Sequence, residues 1–329
     1  MKPIAIITSD WHIHKWKQFN QGNRRLYSNL DLFKFFGNKA EELDVPILFE
    51  GDLFEEAKQL KNSVITKSIR YYKKYIHKKD IIFIAISGNH DQEEQNSIHH
   101  RSSSYLEAFN DAFLTFKLND WKVIETRDLV VFGIPYLKGN VGMQETLKAY
   151  RKIKTTKGKI RILQIHTDLP GAKSTSGQLV DEHENIGEDL NEFFSGFDIV
   201  ICGHIHKPQR ISNKVLMVGA PQQQNRGDKD CQMGYWILYD NLKMKFFPLD
   251  YPKFIEVPED DYTKIPKEKL DANFYIPIPI EPVEEANVSG FASFSSSDHR
   301  TKIARNWAKA TGEKSKSRIK LLKKLINQV

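Results

Sequence analysis

Cysteine is almost missing from this chain: Cys202 and Cys231 are the only two among 329 residues. Two thiols in so long a sequence build neither a disulfide framework nor a zinc quartet, and a reducing cytoplasm is their simplest setting. Long apolar runs are missing as well. None approaches the roughly 18 residues that a membrane-spanning helix requires. The N-terminal run Met1-Lys2-Pro3-Ile4-Ala5-Ile6-Ile7 is short and meets Asp10 at once, so it reads as a first strand and not as a signal peptide. No fixed-period repeat is visible. What is present is 40% apolar and 28% charged residues, the composition of a globular protein with a real core, which excludes wholesale disorder and fibrous repeats. The length suits one large domain or about two.

Charge is unevenly spread. The chain holds 49 Lys and Arg against 42 Asp and Glu, a net +7. Residues 300–329 contain ten of the basic residues and one acid, Glu313, leaving 39 basic against 41 acidic residues, net −2, for the rest. The basic excess is therefore a C-terminal feature, suited to phosphate backbones or an acidic partner.

Short β-rich apolar runs alternate with segments of helical period. Strands are expected at Ile4–Thr8, Val45–Phe49, Ile81–Ile86, Leu129–Ile134, Ile160–Ile165 and Asp198–Cys202, then in closer succession at Val215–Val218, Tyr235–Tyr239 and Lys243–Phe247. Helical spacing marks Leu26, Leu30, Phe33, Ala40 and Leu43; Ile65, Ile69, Tyr72 and Ile76; Leu106, Phe109 and Phe113; and Ile186, Leu190 and Phe193. The pattern is α/β for two hundred residues and β-rich thereafter. Composition changes near residue 250: six of thirteen prolines lie between Pro252 and Pro282, and residues 251–299 carry ten acids against four Lys and Arg. Three segments are expected: a body over 1–250, an acidic Pro/Ser-rich arm over 251–299, and a basic helical tail over 300–329, in which Ile319, Leu322 and Ile326 form an apolar stripe.

The strand ends carry the chemistry. They read Ser9-Asp10-Trp11-His12, Glu50-Gly51-Asp52-Leu53-Phe54, Gly88-Asn89-His90-Asp91, His166, and Gly203-His204-Ile205-His206. In open α/β sheets, ligands bind beyond the carboxyl ends of strands, so five such ends can meet in one place. Imidazole nitrogen and carboxylate oxygen without thiolate suit Mn²⁺, Fe²⁺ or Zn²⁺ better than Ca²⁺ or a structural zinc. Asp10 and His12 are two apart, as are His204 and His206, so in extended backbone each pair points to one side. Glycines at 51, 88 and 203 allow sharp turns and close backbone approach. Eight ligating contacts exceed a four-coordinate site; two ions sharing a carboxylate fit better, and paired ions clamp a phosphoryl group and activate water.

Asp-x-His, Gly-Asp, Gly-Asn-His-Asp, a lone His after a strand and Gly-His-x-His, in that order over residues 1 to about 250, resemble the calcineurin-like metallophosphoesterase superfamily. Each motif alone is unspecific; five in order at strand ends are specific. The resemblance implies an α/β four-layer αββα sandwich of two mixed sheets, with a reduced cap or arm and C-terminal helices. It implies that Asp10, His12, Asp52 and His206 hold one divalent ion, and that Asp52, Asn89, His166 and His204 hold the other. Asp52 would bridge the two, with Mn²⁺ first and Mg²⁺, Fe²⁺ or Zn²⁺ as alternatives. His90 would lie outside the metal shell, contact phosphate and protonate the leaving oxygen. Thr8-Ser9-Asp10-Trp11-His12, Gly51-Asp52-Leu53-Phe54, Gly219-Ala220-Pro221 and Gly234-Tyr235 are similar to the SbcD-type nuclease subunits, phage-encoded ones included. That likeness implies a homodimer acting on DNA ends with an SbcC-type coiled-coil ATPase. The setting would be the cytoplasm of a bacterium or phage-infected host, with no membrane association. The chain departs from that subfamily at Glu55, where a His usually follows Gly-Asp-x-Phe, and in its shorter capping segment.

Blander readings stand beside these. Asn89 could be a turn residue, and Asp91 either orients a ligand or caps a helix. Glu55 and Asp91 are read as supports behind the ligands. His14, His99 and His100 read as solvated loop residues, and a DNA-facing role for Arg101 beside them is the lesser reading. Cys202 reads as a small buried strand residue and Trp11 as packing beneath the site. In the tail, Lys320, Leu322, Lys323 and Ile326 form a solvated helix face, a docking stripe for the ATPase, or a DNA contact. Three functions compete: a two-metal DNA nuclease, a phosphatase or diesterase for phosphomonoesters or small nucleotides, and a non-catalytic scaffold. Gly51-Asp52-Leu53-Phe54-Glu55 lacks the Val-Asp-Arg-Gly continuation of protein phosphatases, and every ligand position is filled, which argues against a scaffold.

Overall fold

The structure is a computed structural model that describes residues 1–278 apart from 17–22, 56–59, 95–103, 110–113, 117–121, 181–185 and 187–188. Expectations for Arg101 and for the tail residues Lys320, Leu322, Lys323 and Ile326 lie outside the described residues. Besides a two-stranded pair formed by Phe254–Pro258 and Phe274–Ile278, the described strands are β1 (Pro3–Thr8), β2 (Ile47–Phe49), β3 (Phe83–Ala85), β4 (Leu114–Thr115), β5 (Val123–Glu125), β6 (Leu129–Ile134), β7 (Ile160–His166), β8 (Ile199–Gly203), β9 (Gln209–Arg210), β10 (Val215–Met217), β11 (Gly234–Tyr239) and β12 (Met244–Pro248). They form two six-stranded mixed sheets, ordered β12-β11-β1-β2-β3-β4 and β5-β6-β7-β8-β10-β9. Within the first, β1 to β4 run parallel, β11 is antiparallel to β1, and β12 is antiparallel to β11; within the second, β6, β7, β8 and β10 run parallel between antiparallel edges β5 and β9.

Period-two alternation sorts the strand side chains into three apolar layers. From β1, β2, β3 and β11, residues such as Ile6, Phe49, Phe83 and Ile237 join the helices α1 (Arg24–Leu43) and α2 (Asn62–Tyr75) in one cluster. From β6, β7, β8 and β10, Phe132, Leu163, Val200 and Met217 join α3 (Met143–Lys152) and α4 (Leu190–Phe193) in a second. The opposite faces of both sheets, including Ile7, Leu48, Ile84, Val131, Ile201 and Leu216, fill a third cluster between them. The layers are therefore α, β, β, α, and strands covered on both sides must read as continuous apolar runs. That is the sandwich the resemblance implies.

The described residues divide by compactness into two units: 1–255 with 266–276, and 256–265 with 277–278. In the larger unit, the helix expected around Leu106 is a 3-10 turn over Tyr105–Phe109, with Phe113 outside the described residues. The helix expected at Ile186 is a single turn, α4, opened by Asp189, whose carboxylate accepts from the Asn191 and Glu192 amides. Helix α3 answers to no expectation drawn from the sequence, although Met143, Leu147 and Tyr150 stand at spacings of four and three and are buried. Among the described residues no helix is long and apolar enough to cross a membrane.

Candidate active site

Strand β1 stops at Thr8, and the chain beyond it is not extended. Asp10 and His12 have φ of 55° and 46°, Asp52 has 56° and His204 has 99°, all in the left-handed region. This corrects the expectation of extended pairs; each such residue carries strain of about 1–3 kcal/mol, held by its surroundings. The surroundings are explicit. The amides of Asp10, His12 and Ile13 donate to the carbonyls of Gly51, Asp52 and Leu53 at 2.9, 3.0 and 2.8 Å. Buried Asn29 on α1 donates to the Trp11 carbonyl, and Gln224 donates to the carbonyls of Asp10 and Trp11 at 3.3 Å. Trp11 itself lies beneath, fully buried, stacked on Phe36 with its indole N–H on Thr8 Oγ1 at 2.9 Å.

The three glycines are places of close approach. A Cβ on Gly88 would stand 2.1 Å from Asp52 Oδ1, and one on Gly203 would stand 2.2 Å from the Glu50 carbonyl oxygen. Gly51 combines a φ of 92° with a Cβ position 2.6 Å from His166 Nδ1. The backbones of three strand ends thus press directly against the side chains that they surround.

Two groups of donors result. One atom each from Asp10, His12 and His206 lies within 4.8 Å of the others; Asp52, His166 and His204 do the same; and His12, Asp52 and His90 make a third, linking trio. His204 and His206, although two apart, therefore serve different groups. Asp52 stands between them: its Oδ2 is 3.2 Å from His166 Nε2 and 3.8 Å from His12 Nε2, while its Oδ1 accepts from the His90 amide at 2.9 Å. Asn89 Oδ1 joins the second group, 3.1 Å from His166 Nε2. The Asp10 carboxylate accepts from the His204 amide at 3.2 Å, tying the two groups through backbone.

This donor set fits cations. His12 Nδ1 stands 2.6 Å from Glu55 Oε2 and His206 Nδ1 3.1 Å from Asp228 Oδ2, so each Nδ1 carries the hydrogen. The two Nε2 atoms then face one another as lone pairs, 3.1 Å apart. His166 Nδ1 meets the Glu50 carbonyl at 2.6 Å, which turns its Nε2 lone pair toward Asp52 and Asn89. Acceptors facing acceptors in a buried place require positive charge between them. Protons supply it in the metal-free protein. Burial opposes a charged His12, yet Glu55, Asp52 and Asp10 outweigh burial and raise its pKa to about 10. Burial likewise opposes a charged His166, and Asp52 raises it to about 9. Asp52 is held well below the usual carboxylate range: burial pushes it up, but His166, His12 and His90 prevail.

Asp91 is fully buried and joins two loops, its oxygens accepting from the Phe54 and Gly88 amides at 3.0 Å each. It closes the 3-10 turn Asn89–Asp91 and anchors the β2 loop to the β3 loop, with burial and repulsion from Asp52 raising its pKa to about 7. Glu55 holds His12 by its carboxylate and His90 by its carbonyl, which lies 2.6 Å from His90 Nδ1. The imidazole beside His90 is that of His12, ring centroids 5.1 Å apart. Sequence reasoning gave no role to Asp228, to Gln224, to Glu50, or to Asp168, whose Oδ1 is 3.5 Å from His204 Nε2. The signal available for Asp228 was Asn225-x-x-Asp228, a capping-box spacing that speaks of a turn and not of a metal. Cys202 is a buried strand residue, as expected.

Known proteins are similar to this chain in sequence. The SbcD component of nuclease SbcCD from Staphylococcus epidermidis is 25% identical over 293 residues, 80% of this chain and 74% of its own length. Its counterpart of the same name from Staphylococcus saprophyticus is 26% identical over 292 residues, 81% of this chain and 74% of its own. The calcineurin-like phosphoesterase family matches residues 5–208, a span that contains every strand-end motif from Asp10 to His206, and the chain belongs to that family.

Proposed function

We propose that this chain is a two-metal-dependent DNA nuclease subunit that hydrolyses phosphodiester bonds at DNA ends. The observation that carries the reading is the pair of acceptor groups meeting at the Asp52 carboxylate. In this reading Asp10, His12, Asp52 and His206 hold one ion, and Asp52, Asn89, His166 and His204 the other. Manganese is preferred for a mixed imidazole, carboxylate and amide set. When bound, the ions supply Lewis acidity for the phosphoryl oxygens and activate the attacking water.

The chain's own residues do the rest. His90 has its Nδ1 fixed on the Glu55 carbonyl at 2.6 Å, so Nε2 is the nitrogen left for substrate. Protonated there, it donates to the departing oxygen and then loses that proton to it, as a general acid. Its amide on Asp52 Oδ1 sets its place relative to the shared carboxylate. Glu55 and Asp91 keep the β1, β2 and β3 loops in register around it.

DNA as substrate is supported by the name and similarity of the staphylococcal nucleases. The name SbcCD in those relatives supports an SbcC-type ATPase as partner; a homodimer as the working form, a part in recombination or repair, and a cytoplasmic setting in a bacterium or phage-infected host rest on the resemblance of the sequence motifs to SbcD-type subunits. The test is a substrate panel with Mn²⁺: end-labelled linear duplex, single-stranded DNA, a cyclic nucleotide and a phosphomonoester. Turnover of DNA, lost in Asp52→Ala and His204→Ala and slowed about 10²–10⁴-fold in His90→Ala, is the expected result. Turnover of only the phosphomonoester or the cyclic nucleotide would replace the nuclease reading with a small-substrate phosphatase or diesterase.

A further inference from the structure

The segment after β10 lies beyond the span matched by the family, yet it reaches into the site. Residues Gln222, Gln223 and Gln224 are buried, an unusual run of polar side chains, and Asp228 is fully buried. Gln224 donates to the carbonyls of Asp10 and Trp11, and its own carbonyl accepts from Arg25 at 2.7 Å. Asp228 Oδ2 accepts from the Gln224 and Asn225 amides at 2.8 and 3.2 Å, and the same oxygen lies 3.1 Å from His206 Nδ1. Its partner oxygen, Oδ1, is buried with no hydrogen-bond partner among the described residues. A carboxylate with one bare buried oxygen is costly to keep unless its charge is used. The neighbouring group shows that orientation alone does not require it, since His166 is oriented by the neutral Glu50 carbonyl.

We infer that Asp228 is a positioning residue for the metal centre: it fixes the His206 tautomer and strengthens Nε2 as a ligand, so that the segment 222–228 is part of the site. The inference rests on the two-metal reading above. A carboxylate behind a ligating imidazole contributes about 10–100-fold in metal affinity. Asp228→Asn keeps the shape and an acceptor for the two amides while removing the charge.

Calorimetry with Mn²⁺ alone, on the full chain and on D228N, is the experiment, paired with melting in chelator. The expected result is two binding steps in the parent and, in D228N, one step weakened about 10–100-fold with the other unchanged and the metal-free melt preserved. Equal binding by D228N and the parent, or equal loss at both steps with a lowered metal-free melt, overturns the inference. A parent that binds no Mn²⁺ overturns the two-metal reading itself. Histidine-selective nitrogen NMR of the parent gives an independent check if D228N does not fold: His206 must carry its proton on Nδ1, and a proton on Nε2 in the Mn²⁺-free form at high pH contradicts the assignment.

Discussion

Gly88 has an ordinary backbone conformation, so it is present for space and not for φ; a Cβ there would lie 2.1 Å from Asp52 Oδ1. Gly88→Ala is expected to displace the shared carboxylate and to lower Mn²⁺-dependent hydrolysis by at least about tenfold, the range seen when metal ligands lose their supports; a steady-state assay checks it. The imidazoles give a pH prediction. His12 and His166 have folded pKa values of about 10 and about 9, above the ordinary 6.5. A raised histidine pKa contributes stability that is fully present below the unfolded value and is lost as pH rises through the folded value. The metal-free protein should therefore lose stability between pH 6.5 and about 10 from these two groups, and Mn²⁺ affinity should rise over that interval as the protons leave. Melting in chelator and calorimetry at pH 6.5 and 9 check both signs. At this scale the side chains that gather at the site were legible, because Gly-Asp, Gly-Asn-His-Asp and Gly-His-x-His state both the side chain and the tight turn that delivers it. Asp228, Asp168 and Gln224 were not, because each acts through a contact made across tens or hundreds of residues. The left-handed backbone at Asp10 and His12 was not legible either; it is imposed by the β2 loop, whose carbonyls capture their amides.

Helices α1 and α2 cross closely enough that a Cβ on Gly37 would lie 2.1 Å from the Tyr75 carbonyl oxygen. In an exposed helix, glycine to alanine stabilises by about 1 kcal/mol. Here the sign reverses: Gly37→Ala should destabilise by about 1–3 kcal/mol through overpacking, read as a lower urea midpoint with unchanged slope. Asn29 on α1 also holds the Trp11 carbonyl, so pushing α1 outward is expected to loosen the β1 loop. The strands were read well because burial on both faces forces uninterrupted apolar runs, and Leu129–Ile134 agrees to the residue. Edge strands β4, β5 and β9 were not read, being two or three residues long and carrying no periodicity of their own. Helix α3 is hard to read for a different reason: Gln144, Glu145, Lys148, Arg151 and Lys152 surround its three buried apolar residues and dilute the pattern.

The whole molecule brings strand ends from two sheets to one place. Gln164 on β7 donates to Glu50 Oε1 at 2.9 Å, and His166 on the same strand meets the Glu50 carbonyl, so the two sheets are tied together directly under the site. Removing divalent ions with a chelator should therefore lower the melting temperature of the whole larger unit cooperatively, because ions that bind only the folded state stabilise it by mass action. The central claim is that two cations share the Asp52 carboxylate. Anomalous diffraction from crystals soaked in manganese tests it most directly. The expected result is two peaks about 3.5–4 Å apart, one beside His12 and His206, the other beside His166 and His204, with Asp52 touching both. A single peak, or none within reach of Asp52, would contradict it.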